Sequence, residues 1–311
     1  MRTMTALRAH YRGGPEVLVV EQVPVPVPAA GEVLVAVHAA AITFDELTWP
    51  ETWEHDGADR TPIIPSHEVS GVVEAVGEGV TDVAVGAQVY ALIDFDRDGA
   101  AADYATVPAV HLAARPTTVS HVVAAALPMT GLTAWQALVD QAKVQPGERV
   151  LVTGGAGGVG ALVVQLAHLR GAEVTATVRS DATELAVGYG AKHVIDVRSQ
   201  PIPRHEYDAV IDTVGGAALD GAFAAVKRGG RLITLSAPLT AGSADEYGVA
   251  ATFFIVTPDR AQLIELAELV DAGRLQVPVT EVFPLAQGRA AFESGRVPGR
   301  GPGKTVLSVR D

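Results

Sequence analysis

Arg149-Val-Leu-Val-Thr-Gly-Gly-Ala-Gly-Gly-Val-Gly160-Ala-Leu-Val-Val-Gln-Leu-Ala-His168 reads as a buried strand, a glycine-rich turn and a helix. Val150 to Thr153 form a short apolar, β-favouring run, and Gly155, Gly157 and Gly160 fit the spacing G-x-G-x-x-G at its end. Each glycine answers a different need: a tight turn, an approach of backbone to a pyrophosphate, and close packing of helix on strand. The helix that follows, with Leu162, Val163, Leu166 and Leu169, offers unpaired N–H groups and the positive end of its dipole to phosphates. The next apolar run, Val174–Val178, completes a βαβ unit, so a dinucleotide is expected on this turn.

The tip of the second strand decides which dinucleotide. An NAD-preferring site places a carboxylate there to take the ribose hydroxyls. Here the strand ends Thr177-Val-Arg-Ser180, followed by Asp181. The Arg179 guanidinium can fork onto a 2′-phosphate and Ser180 can add a hydroxyl, which favours NADPH. The alternative is a solvated Arg179 with Asp181 turned inward.

The 311 residues outward from this unit divide into two textures. Residues 1–118 read as mostly β, with strands expected at Ala6–His10, Leu18–Val23, Glu32–Ala40, Val69–Val76 and Gln88–Leu92, and turns at Gly77, Gly79 and Gly86. Between them Trp49–Pro65 is irregular and long enough to suggest a functional loop. From about Ser120, helices and strands alternate: helices at Val122–Ala126, Thr130–Val144, Ala182–Tyr189 and Ala217–Val226, and strands at His193–Asp196, Tyr207–Asp212, Arg231–Ser236 and Thr252–Thr257. Such alternation predicts an α/β fold with a doubly wound parallel sheet and a ligand at the carboxyl ends of the strands. A helix over Pro258–Leu269 follows, and the segments Pro278–Phe283, Leu285–Ser294 and Lys304–Val309 look like a return to the first domain.

Composition narrows the partners. A formal net charge of −13 argues against nucleic acid and anionic membranes, both of which need a basic face. With no cysteine there is neither a disulfide framework nor a thiolate metal site. The start, Met1-Arg-Thr-Met-Thr-Ala, lacks the apolar core of a signal peptide, and the uncharged run Val122–Val139 is broken by Pro128 and Gly131, so a soluble cytoplasmic protein is expected.

Several segments in order support a family resemblance: the glycine turn, His67-Glu-Val-Ser-Gly71-Val-Val-Glu-Ala-Val-Gly77, Gly99-Ala-Ala-Ala-Asp-Tyr104, Leu127-Pro-Met-Thr-Gly-Leu-Thr-Ala-Trp135, Asp212-Thr-Val-Gly-Gly216 and Gly303-Lys-Thr-Val-Leu307. Together they cover essentially the whole chain, and it resembles the zinc-independent medium-chain dehydrogenases/reductases, in particular the quinone oxidoreductase (ζ-crystallin-like) group. The resemblance implies a GroES-like β-barrel domain over 1–118 and 276–311. It also implies a Rossmann domain over 119–275, NADPH in the cleft, and a homodimer joined through the Rossmann sheet edge. It further implies that Thr133, Gly157, Gly158, Val159, Arg179 and Ser180 contact the cofactor. Val214, Gly215, Ser236 and the backbone of Phe254, Ile255 and Val256 would hold its nicotinamide half, with Lys304 near the cleft mouth. A tyrosine common in the family is replaced by Val197.

Zinc-dependent relatives carry a cysteine where this chain has Thr43, and their structural zinc lobe is replaced by Asp94-Phe-Asp-Arg-Asp-Gly99. A threonine hydroxyl is a poor zinc ligand, and His67 with Glu68 cannot make a three-ligand site, so no metal is expected. Ser66 stands where relatives usually have glycine. Without a Lewis acid, alcohol dehydrogenation is disfavoured and hydride transfer to a quinone or an α,β-unsaturated carbonyl remains. Candidates for the proton donor are Thr43, Glu46, Tyr90 and His67, with Thr43 best placed by analogy, and water can serve instead. Two further readings are a pathway-specific enoyl or enone reductase acting on a large intermediate and a non-catalytic NADPH-binding protein.

Overall fold

A computed structural model describes residues 2–179, 182–297 and 300–310. The chain forms two compact units, Met1–Met129 with Thr257–Asp311, and Thr130–Val256.

The second unit is a Rossmann sheet of six parallel strands in the order His193–Asp196, Glu173–Val178, Arg149–Thr153, Tyr207–Asp212, Val226–Thr234, Ala250–Phe253. Its central strand is apolar on both faces because helices cover both sides, and Val150, Leu151 and Val152 are fully buried. Strand order reverses between Glu173–Val178 and Tyr207–Asp212, which flank Arg149–Thr153, so the carboxyl end of that strand is the switch point where such sheets take ligands. The expected helix Thr130–Val144 is observed as an α-helix over Pro128–Trp135 that widens into a π-helix over Gln136–Gln141.

Two strands here depart from their expected bounds. The helix over Ala217–Ala225 ends within one residue of where it is expected to, but the strand expected at Arg231–Ser236 runs over Val226–Thr234 and takes in Lys227-Arg-Gly-Gly230 as a bulge, its register against the neighbouring strand jumping from Tyr207↔Val226 to Ala209↔Arg231. Gly229, at φ 75°, permits it. The sixth strand also lies earlier than expected, over Ala250–Phe253, which puts Phe254, Ile255 and Val256 beyond its end.

The first unit is GroES-like. An antiparallel hairpin, Thr3–Ala9 with Leu18–Pro24, accompanies a seven-stranded sheet ordered Val279–Pro284, Lys304–Ser308, Glu32–Ile42, Glu68–Val76, Gln88–Leu92, Ala113–Ala114, with Tyr104–Pro108 paired to Glu32–Ile42. The strand Tyr104–Pro108 is not apparent in the hydrophobic pattern, since Ala105 and Thr106 give no alternation. The loop 49–65 folds into a helical turn, Pro50–Trp53, and a short hairpin, Glu54–His55 with Ala58–Asp59. Trp53 is buried and its Nε1 donates to the Leu47 carbonyl at 2.9 Å.

The unit boundaries differ from those expected at 118/119 and 275/276. The helix His121–Ala125 belongs to the first unit because His121 stacks on His38 and hydrogen-bonds to Ser70 at 2.8 Å. Residues 257–275 belong there as well. The helix Arg260–Asp271 receives the Tyr90 hydroxyl at the Leu263 carbonyl, and its Asp271 accepts four hydrogen bonds from Thr117 and Thr118.

Candidate active site

In the Rossmann unit the turn after Arg149–Thr153 is built on backbone contacts that exclude side chains. Gly154 has φ 66°, so the left-handed residue is one position before the first glycine of the motif. A Cβ at Gly155 would lie 2.6 Å from the Ala176 side chain, and one at Gly160 would lie 2.1 Å from the Gly154 carbonyl oxygen. Gly157 is the N-cap of the helix Gly158–Leu169 and supplies no side-chain cap, which leaves the N–H groups around Gly158, Val159 and Gly160 to be met from outside. This cradle fits a pyrophosphate.

The loop 213–216 beside it is fixed by Asp212, a fully buried carboxylate at the end of its strand. Thr153 Oγ1 donates to it at 2.7 Å and Thr234 Oγ1 at 3.0 Å, while the Gly215 N–H reaches both of its oxygens at 3.2 and 3.1 Å. Thr213 closes the network through its N–H to Thr153 Oγ1 at 3.0 Å. Gly215, at φ 69°, lies so near Ser236 that a Cβ would fall 2.0 Å from the Ser236 hydroxyl. Val214 is held outward, 55% exposed. Asp212, Thr153 and Thr234 do not figure among the expected site residues. The signal for them is an acidic residue closing an apolar strand, with threonines at the ends of the two strands that flank it.

Of the remaining expected cofactor residues, Thr133 is buried in the helix Pro128–Trp135. Arg179 is exposed directly after the strand Glu173–Val178. Val256 is buried and Ile255 exposed. Ser180 lies outside the described residues.

The first unit holds a second polar cluster. Three adjacent strands create it: Thr305 pairs with Ile42, so Lys304 and Thr43 sit at facing ends, and Ala41 pairs with Glu68 on the other side. Lys304 is almost wholly buried; its Nζ forms an ion pair with Glu68 Oε2 and donates to Thr43 Oγ1 at 3.1 Å. Glu68 Oε1 accepts from the Met129 N–H at 3.0 Å, and Thr43 Oγ1 donates to Met129 Sδ at 3.2 Å. Glu46 is buried nearby and accepts from the Ser66 N–H at 3.1 Å. Burial raises the pKa of Glu46 well above the ordinary carboxylate range, and the Lys304 charge opposes that shift; Glu68 is raised by burial and pulled back by the same lysine.

The structure brings Thr43, Lys304 and Glu68 together and separates the other two proton-donor candidates from them. Tyr90 is fully buried and its hydroxyl hydrogen is committed to the Leu263 carbonyl. His67 is buried edge-on against Phe95, and desolvation lowers its pKa to about 4, so it is neutral at physiological pH. Lys304, expected as a cofactor contact, spends its ammonium on Glu68 and Thr43. Among the described residues no group of three or more histidine, cysteine, aspartate or glutamate side chains is arranged to hold a metal ion.

A parallel six-stranded sheet with a glycine turn at its switch point, together with a GroES-like unit, defines a dinucleotide-dependent type of dehydrogenase or reductase. Comparisons with known proteins agree. Residues 29–117 match the alcohol dehydrogenase GroES-like domain, and 189–307 match a zinc-binding dehydrogenase domain. A probable zinc-binding oxidoreductase, mitochondrial, from Arthroderma benhamiae is 32% identical over 92% of this chain and 91% of its own. An NADPH-dependent alkenal/one oxidoreductase, chloroplastic, from Arabidopsis thaliana is 31% identical over 90% and 72%. The solved quinone oxidoreductase of Coxiella burnetii superposes with a TM-score of 0.91 at 28% identity, covering 99% of this chain and all of that one. The chain belongs to the medium-chain dehydrogenase/reductase superfamily and is an oxidoreductase.

Proposed function

We propose that this chain is an NADPH-dependent reductase that delivers a hydride, without zinc, to a quinone or an α,β-unsaturated carbonyl. The observation that carries this reading is the Lys304 ammonium held between Glu68 and Thr43. Thr43 stands where zinc-dependent relatives carry a cysteine, His67 is buried against Phe95, and the neighbouring carboxylate Glu68 is already neutralised by lysine. A divalent cation there would lack three free ligands and would be repelled by the ammonium. This donor set does not suit zinc.

The residues do suit a nicotinamide dinucleotide. The Gly155–Gly160 cradle would hold its pyrophosphate, Val214 and Gly215 its nicotinamide half, and Arg179 a 2′-phosphate. When bound, the reduced nicotinamide supplies a hydride. The chain's own part is to orient the acceptor, exclude water and provide a proton. An acceptor whose carbonyl takes up the developing negative charge needs no Lewis acid. The named activities of the relatives point to the same acceptor classes. Ala250–Phe253 is an edge of the Rossmann sheet, and we place the homodimer contact there. The small-molecule acceptor is the only other partner we assign, and the negative net charge disfavours nucleic acid and anionic membranes as partners.

The test is steady-state NADPH oxidation with phenanthrenequinone, benzoquinone, cyclohexenone and a crotonyl thioester, on protein whose zinc content has been measured and which has been treated with a chelator. Turnover on at least one acceptor that survives chelation is expected. No NADPH oxidation with any of them, or turnover that needs stoichiometric zinc, would overturn the reading.

A further inference from the structure

We propose that the Rossmann unit carries a second ligand site, for a nucleoside monophosphate, in the pocket lined by Arg204, His205, Arg228, Glu246 and Tyr247. All five residues lie within the unit Thr130–Val256, and the inference does not rest on the nicotinamide reading above.

Topology puts this pocket at the end of the sheet opposite to the glycine turn. Arg204 and His205 precede the strand Tyr207–Asp212, Arg228 falls near the start of Val226–Thr234, and Glu246 and Tyr247 precede Ala250–Phe253. These are the amino ends of three adjacent parallel strands, whereas the glycine turn follows the carboxyl end of Arg149–Thr153. A strand of this kind rises about 3.3 Å per residue and puts about 20 Å between its two ends. A phosphate held here is therefore not one held by the glycine turn.

The bulge in Val226–Thr234 sets Arg228 apart from the cations beside it. Lys227 pairs with Asp208 at 2.9 Å and Arg231 with Glu148 at 2.7 Å. Among the described residues, Arg204 and Arg228 make no ion pair or side-chain hydrogen bond, although the chain has 36 aspartates and glutamates against 23 lysines and arginines. The Gly229 N–H donates to the Gly248 carbonyl at 2.8 Å and ties the bulge to the segment that carries Tyr247. Gly248, at φ 65°, leaves room for the guanidinium, since a Cβ there would meet Arg228 Nη2 at 3.4 Å. His205 is held at φ 55° by its N–H on the Ala224 carbonyl at 2.9 Å, and its Nδ1 lies 3.3 Å from the Val226 carbonyl. A carbonyl can only accept, so Nδ1 carries the hydrogen and Nε2 is left to meet a ligand.

Each lining residue selects part of the ligand. Two uncommitted guanidiniums suit a group with close to two negative charges, as a phosphomonoester has, better than one carboxylate, and their forks match phosphate oxygens. The Tyr247 ring stacks on the buried Phe223, with centroids 5.2 Å apart, so the pocket has an aromatic wall anchored in the core on which a base can lie. Glu246 repels a second anionic group and accepts from hydroxyls or amines, which fits a ribose or a base and disfavours a polyphosphate. At about 480 Å³ the pocket is far larger than inorganic phosphate needs and falls in the range of about 300–1,000 Å³ usual for small-molecule sites.

The experiment is isothermal titration calorimetry at fixed ionic strength on the full-length protein, with AMP, UMP, inorganic phosphate, adenosine and citrate as probes. Titrations are made in wild type and in Gly160→Ala, where a Cβ would lie 2.1 Å from the Gly154 carbonyl oxygen and spoil the glycine turn. A nucleoside monophosphate is expected to bind saturably in both, and more tightly than phosphate, adenosine or citrate. Arg204→Ala with Arg228→Ala removes exposed side chains, so the Tm without ligand should hold while nucleotide binding weakens about 10- to 100-fold, as for lost hydrogen bonds to a charged group. Arg204→Gln with Arg228→Gln, which keeps the stem over Gly248, should weaken binding alike. Unchanged affinity in both arginine variants, no saturable binding of AMP or UMP at millimolar concentration, or citrate binding as tightly as the nucleotides would overturn the proposal. None of these outcomes touches the reductase reading.

Discussion

Lys304 and Glu68 form an ion pair with almost no contact with water: Glu68 is fully buried and the Lys304 side chain is 10% exposed. Removing one member of such a pair leaves an uncompensated charge, which destabilises by about 3–5 kcal/mol. Lys304→Met is therefore expected to lower stability to urea by about that amount, and Lys304→Met combined with Glu68→Leu to recover most of it. Denaturation midpoints of the three proteins check this. Equal stability of the single and double variants would show that the pair is not coupled.

Ser66 lies in the left-handed region, φ 72°, and its hydroxyl is buried without a hydrogen-bond partner. A non-glycine residue in that region carries about 1–3 kcal/mol of strain. Glycine would relieve the strain and remove the orphan hydroxyl, while keeping the N–H that Glu46 uses, against an entropic penalty of about 0.5–1 kcal/mol. Ser66→Gly is expected to raise stability by about 1 kcal/mol, read as an upward shift in Tm. The same geometry explains why the family resemblance leads one to expect glycine here.

The legible parts of the sequence were those where one local rule suffices. Arg149–Thr153 and the glycine turn follow from periodicity and spacing, and Gln88–Leu92 was placed to the residue. Boundaries failed where tertiary contacts override local pattern. The strand Val226–Thr234 reads as starting only at Arg231, because the cations and glycines of its bulge look like a turn and only pairing with the neighbouring strand draws them in. Residues 257–275 read as part of the Rossmann domain because a helix sequence does not say which sheet it covers; Asp271, bound to Thr117 and Thr118, ties them to the first unit. In the cluster around Thr43, the lysine and the threonine were each singled out, but separately and for different roles. Their meeting depends on the register of two strands more than 260 positions apart in the chain, which spacing does not encode.

Gly160 faces the Gly154 carbonyl so closely that alanine has no room, and the obstacle is backbone. Gly160→Ala must push the helix Gly158–Leu169 away from the turn and spoil the phosphate cradle. NADPH affinity is expected to fall at least tenfold, about 1.4 kcal/mol, measured by fluorescence titration. Arg179→Ala leaves the cradle intact and removes only the guanidinium, so NADPH binding is expected to weaken about 10- to 100-fold, as for loss of a charged hydrogen bond, with NADH binding unchanged. Equal losses for both coenzymes would remove Arg179 from recognition of the 2′-phosphate.

Glu46 predicts an unusual pH dependence. Burial raises its folded pKa well above the 4.5 of an ordinary glutamate, against the pull of Lys304 and the Ser66 N–H. Between those two values the folded chain keeps a proton that the unfolded chain has released, so stability falls as pH rises through that window. Below the ordinary value the group is protonated in both states and contributes no slope. Glu46→Gln is nearly isosteric and cannot ionise. Its stability relative to wild type should therefore increase as pH rises above the ordinary carboxylate range. Glu68 is raised in the same sense and repels Glu46, so the difference reads the Glu46 titration together with its coupling to Glu68. Denaturant titrations across that range measure it, and a difference that stays flat would mean that Glu46 titrates as an ordinary surface carboxylate does, despite its burial.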